Sequence, residues 1–139
     1  MELEKKIVYY ILKRQNEIHP FRLSRILLLF EMEYTRKYGE KPTDFVYRLQ
    51  PYTFYIENFT KFIEETPYIE KVKIVDDKGI PIKGFLKLTN RKVNAEIPVE
   101  MREMLDRLID ETSKLDDQEL NRFIVDSNDY RELYELYGD

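Results

Sequence analysis

Leu3, Ile7, Tyr10 and Ile11 recur at helical spacing near the start of the chain, so residues 2–15 are predicted to form an amphipathic helix. Pro20 drives His19 away from helical angles and sets a break over residues 16–20. A second helix is predicted over residues 21–38. Its middle, Ile26-Leu27-Leu28-Leu29-Phe30, is apolar on every side, which marks a central helix with Ile26, Leu27, Leu29 and Phe30 in the core. Gly39 is its expected C-terminal stop, with Pro42 just beyond. Residues 45–49 alternate weakly between Pro42 and Pro51 and read as a short strand.

Thr53 is the expected N-cap of a third helix reaching about residue 65. At 100° per residue, Tyr52, Tyr55, Ile56, Phe59, Phe62 and Ile63 fall on one face of it. Residues 68–75 and 80–89 form a β-rich pair about the turn Asp76-Asp77-Lys78-Gly79, with Pro81 at a strand start or on an edge. Beyond Asn90 the pattern is helical again. Pro98 suits a first turn, Met101, Met104, Leu105, Leu108 and Ile109 form a stripe, and Asp116 with Glu119 resembles a capping box. A last short helix is predicted over residues 129–137.

This order is that of an α+β winged helix, a helix-turn-helix variant. The short strand would join the hairpin as the third strand of an antiparallel sheet. The winged domain would cover residues 1–92, and residues 93–139 would be an acidic helical extension packed on it.

The leucine-rich helix Leu23-Ser24-Arg25-Ile26-Leu27-Leu28-Leu29-Phe30, the stretch Gly39-Glu40-Lys41-Pro42-Thr43-Asp44-Phe45-Val46-Tyr47 and the wing ending Leu88-Thr89 resemble segments of the Panacea antitoxin family. Pro51, Tyr52 and Thr53 fit the family's Tyr-Gly-Pro-aromatic-Ser pattern, whereas Leu49 and Gln50 depart from it. The resemblance spans about residues 20 to 125. It implies a regulator-like fold in which many members grip a toxin or another protein rather than an operator, and it transfers no catalytic residue.

Composition narrows the field. Of 139 residues, 42% are hydrophobic and 14% aromatic, enough buriable surface to exclude a solvated, disordered chain. No apolar run comes near the roughly 18 residues of a membrane span. The charged start and zero cysteines argue for a cytoplasmic protein without disulfides, thiolate chemistry or a zinc finger. Charge is uneven: through Lys92 there are 18 basic and 13 acidic residues, a balance of +5, and from Val93 onward 5 and 14, a balance of −9.

The basic half points to phosphate. Lys71, Lys73, Lys83, Lys87, Arg91 and Lys92 gather in or beside the hairpin, where ammonium groups could displace counterions from nucleic acid. The alternative is a solvated sheet whose edges lysines guard. Thr53, Asn58 and Lys61 on the third helix would make any base contacts, although that helix also presents Glu57, Glu64 and Glu65. Phe54, directed outward, would anchor a protein partner or lie under a neighbouring loop.

Catalytic parts are scarce. His19 is the only histidine and reads as a surface or helix-start residue; Asp76-Asp77 and Asp116-Asp117 read as a turn and a cap. No metal site or cofactor is expected. The leading expectation is therefore a non-enzymatic transcription regulator binding DNA mainly through a basic wing. The alternative is a module that binds a toxin or other regulatory protein, as the Panacea resemblance implies. Met101, Met104, Leu105 and Leu108 are the expected contact of a homodimer, unless the stripe folds back on its own first helix.

Overall fold

A computed structural model describes residues 1–138. It is an α+β fold of six helices and two small antiparallel sheets, in the order α1 (Glu2–Gln15), α2 (Pro20–Tyr38), β1 (Tyr47–Leu49), β2 (Phe54–Ile56), α3 (Phe59–Glu65), β3 (Ile69–Val75), β4 (Pro81–Leu88), α4 (Val99–Thr112), α5 (Asp117–Val125) and α6 (Asn128–Tyr137). Asp139, the last residue of the predicted extension, lies outside the described residues.

The central helix is where its sequence demands. All residues from 23 to 32 are buried, with Leu23 and Phe30 at 0% exposure. His19 caps its start, Nδ1 accepting from Phe21 N–H at 3.0 Å, and Gly39 ends it in the left-handed region at φ 74°. Helix α1 lays Ile7, Val8, Ile11 and Leu12 into the same core, where α2 also meets α4, α5 and β4. The capping box at Asp116 and Glu119 forms as predicted and starts α5.

Three expectations need correction. The third helix is half its predicted length. Residues 54–56 form β2, paired with β1 in the register Tyr47↔Ile56, Arg48↔Tyr55, Leu49↔Phe54. Alternation, not helical period, governs here: Phe54 and Ile56 are buried while Tyr55 between them is exposed. Thr53 consequently caps nothing, and Asn58, at φ 58°, precedes the two-turn α3 without a side-chain cap bond. Phe54 does not face outward as an anchor for a partner. It is 2% exposed, with its ring 6.0 Å from that of Tyr130.

The predicted three-stranded sheet is likewise divided. Strand β1 pairs with β2, not with the hairpin, so the described residues form two sheets of two strands each. Among the described residues the hairpin's further strand pairing is a single bridge, Ile18↔Leu86, from the connection between α1 and α2.

The α4 stripe, finally, expected at a homodimer contact, is covered within its own chain. Met101, Met104, Leu105, Leu108 and Ile109 are all buried in their own chain, Leu105 fully, and α4 packs on α2. An all-round apolar α2 needs cover on every side, and α4 supplies part of it. Polar contacts to α1 fix its edge: Tyr10 donates to Asp106 at 2.6 Å and Arg14 to Asp110 at 2.8 Å. Burial and this hydrogen bond together push the Tyr10 hydroxyl up to about 12.

Candidate binding surface

The hairpin leaves the body abruptly. At its root Leu86 and Leu88 are buried, yet every residue from 73 to 83 is exposed. Its tip is the predicted turn. Asp76 accepts from Lys78 N–H and Ile80 N–H, both at 2.9 Å, and Gly79 takes φ 78°. At roughly 3.3 Å per residue, the exposed part extends about 15 Å.

The register distributes the lysines over two faces. Lys71 pairs with Leu86 and Lys73 with Gly84, so these two lysines share the face that becomes core at the root. Lys83 pairs with Ile74, and Lys87 with Glu70, on the opposite face. Lys87 is half-buried, and Lys83 lies 5.5 Å from the Phe85 ring centroid. Arg91 is spent on the body, donating to the Lys13 carbonyl at 2.7 Å, while Lys92 is exposed beyond it. Among the described residues, none of Lys71, Lys73, Lys78, Lys83, Lys87 and Lys92 forms an ion pair. Ile74, Val75, Ile80 and Ile82 are exposed among them.

The residues expected to read bases lie elsewhere, beside an open groove of about 590 Å³ between the start of α2 and the β2–α3 connection. Asn58 and Lys61 line it with Phe21, Arg25 and Tyr55. Lys61 is exposed and leans toward Glu65 at 4.0 Å. Thr53 is tied down: its hydroxyl accepts from Arg25 Nη2 at 2.8 Å. The hairpin lysines and the Asn58–Lys61 pair thus stand on separate elements, and α3 offers two glutamates against one lysine.

Arg25 was legible only as a basic residue in a leucine-rich helix. It proves to be the polar centre of this end of the molecule. It is 3% exposed, and its guanidinium lies 3.7 Å from the Phe21 ring centroid and 4.0 Å from that of Phe54. Its edge donates to Asn121 Oδ1, Ser24 Oγ and Thr53 Oγ1. It forms no ion pair among the described residues, and burial lowers its pKa to about 10. Nearby, the Tyr130 hydroxyl sits 2.5 Å from the Gln50 carbonyl and 2.9 Å from that of Thr53, closing the β1–β2 turn, and burial raises its pKa. These groups hold α2, α5, α6 and the turn together.

A second buried polar cluster fixes the loop after α2. Glu31 accepts from the Thr43 hydroxyl and from Lys41 Nζ, which also donates to the Thr43 and Phe45 carbonyls. Its other carboxylate oxygen and the buried Tyr47 hydroxyl have no hydrogen-bond partner among the described residues. Burial raises the Glu31 pKa, against the opposing pull of Thr43 and Lys41.

Among the described residues no three His, Asp or Glu side chains gather where they could hold a metal ion, and no helix is long and apolar enough to cross a membrane. No family model matches the chain, nor does any curated protein or solved structure.

Proposed function

We propose that this chain is a non-enzymatic binding module whose β3–β4 hairpin engages an acidic protein partner. One observation carries the reading: an arm exposed from residue 73 to 83 sets unpaired lysines beside Ile74, Val75, Ile80 and Ile82. Phosphate contact calls for the lysines but not the aliphatics, whereas protein interfaces use apolar contact with a charged rim. The short, glutamate-bearing α3 leaves a duplex little to be read by. The Panacea resemblance, the Ile18 bridge to the hairpin and the absence of cysteine suit a winged-helix variant acting in the cytoplasm.

The test is recovery from the native source with the full chain and with Lys71→Glu/Lys73→Glu/Lys83→Glu. The expected result is a protein recovered in stoichiometric amount by the first and lost by the second. A partner retained in full by the charge-reversed hairpin would overturn the reading.

The unpaired lysines favour a second reading, DNA binding through phosphate contacts by Lys71, Lys73, Lys83, Lys87 and Lys92. Duplex affinity would then fall steeply with salt, and Lys83→Glu with Lys87→Glu would flatten the slope. Undetectable duplex binding at about 50 mM salt overturns it.

A further inference from the structure

Backbone hydrogen bonds define a surface that the side chains alone do not reveal. Leu86 donates its N–H to the Ile18 carbonyl at 2.8 Å, and its own carbonyl accepts from Ile18 N–H at 3.1 Å. Both main-chain groups of Leu86 therefore point away from β3. Its partner across the ladder, Lys71, occupies a non-hydrogen-bonded position, and the Lys71 N–H and C=O point to the outer edge of β3. The Thr89 N–H to Tyr68 carbonyl bond, 2.9 Å, gives the same parity independently. By alternation, Ile69, Lys71 and Lys73 present their main-chain groups on that edge. No strand pairs with it among the described residues, and Lys71 and Lys73 are exposed.

The side chains beside this edge specify what could join it. Lys71 and Lys73 stand on one face, with Val72 and Ile74 on the other. A strand laid along β3 alternates its side chains between the same faces. Carboxylates would meet the two lysines on one side, while aliphatic residues would meet Val72 and Ile74 on the other. Glu70, on the aliphatic side, disfavours a carboxylate there. A second copy fits poorly: antiparallel self-pairing centred on Lys71, Val72 or Lys73 sets lysine directly opposite lysine.

We propose that the free edge of β3 accepts an extended partner segment in which acidic and aliphatic residues alternate, added to the hairpin as a third strand. This mode gives affinity through main-chain bonds and selectivity through alternate side chains. It rests on the protein-binding reading above and names the partner's chemistry.

The experiment uses the full chain, isotopically labelled, and an eight-residue peptide alternating Asp or Glu with Val or Ile. One control has the same composition in two blocks. A second has alternate main-chain nitrogens of the peptide methylated. Saturation with the alternating peptide should slow amide exchange at Ile69, Lys71 and Lys73 at least tenfold relative to the free chain. Methylation in the register that faces β3, and Lys71→Glu with Lys73→Glu, should each weaken binding at least tenfold. Equal binding of the block peptide, or binding that leaves those three amides unchanged, overturns edge pairing. If such binding is still lost on Lys83→Glu, the hairpin remains the protein-binding surface. No binding by any of these acidic peptides at about 1 mM, together with protection of the same amides by duplex DNA, overturns both proposals.

Discussion

Arg14, Arg22, Arg36 and Arg107 each reach a carboxylate on another helix, joining α1 to α4, α2 to α5, α2 to α6 and α4 to α2. From Ile69 to Leu88, by contrast, the hairpin carries five lysines and no arginine, and none of those lysines reaches a carboxylate among the described residues. The planar guanidinium fork fixes one geometry between two elements; the ammonium is compact, strongly hydrated and rotates freely. Exposed pairs stabilise by only about 0–1 kcal/mol, so the body's arginines set orientation more than stability. The difference teaches which charges are already committed to the fold and which remain available to a partner.

The largest way to break this comparison lies in the body. Leu105→Glu puts a carboxylate at a fully buried position against α2, and a loss of more than about 4 kcal/mol is expected. Circular dichroism should show no cooperative thermal transition. A folded, cooperative variant would mean that α4 is not part of the core.

Arg25 sharpens the comparison, since it is a body arginine that pairs with no carboxylate among the described residues. Arg25→Lys keeps the charge but loses the fork between two rings, and should cost about 2–4 kcal/mol. Arg25→Met keeps the apolar stem and removes the buried charge, so it should cost about 1 kcal/mol less than the lysine variant. Urea midpoints measure both; the opposite order would show that the charge itself is required.

Glu31 gives a pH-dependent effect. Its folded pKa is raised, so the stability it contributes is present below the ordinary carboxylate range and is lost as pH rises through the raised value. As pH rises from the ordinary carboxylate range toward neutral, the wild-type chain should therefore lose stability relative to Glu31→Gln. Urea midpoints for both proteins across that range would show parallel curves if burial does not perturb this carboxyl.

The smallest stability effect belongs to the hairpin. Lys83→Glu should change stability by no more than about 0.5 kcal/mol, because its side chain is exposed and forms no ion pair among the described residues. A larger shift in thermal midpoint would mean that the arm is built into the body.

Much of the body was legible because its signals are local. Helix α1 matches residues 2–15, Gly39 stops α2, and the Asp116 cap needs only Glu119 three residues on. What was misread depends on distant partners. Tyr52 to Ile56 satisfies a helical face on paper, yet Phe54 and Ile56 also satisfy strand alternation, and aromatic and β-branched residues favour it. The hydroxyl of Tyr130, 80 positions from Gln50, closes the turn that makes the strand possible. The α4 stripe was visible as apolar, but nothing local named α2 as its cover. Arg25 was visible without its role, since Asn121 lies 96 positions away. The hairpin was legible as an element, but its free edge follows from Ile18, whose single bridge has no periodic signature.

The exposed turn at Asp76-Asp77-Lys78-Gly79 has one more consequence, for chain continuity. A cut after Lys78 removes no buried residue from either product. The first fragment would hold Ile7, Leu12, Leu23 and Phe30 of the core, and the second would hold Leu86, Leu105, Leu120 and Tyr130. Neither inherits a complete interior, and β3 and β4 would lie on opposite fragments. The two pieces are therefore expected to fold only by complementing one another, with a bimolecular, concentration-dependent stability that the intact chain does not have.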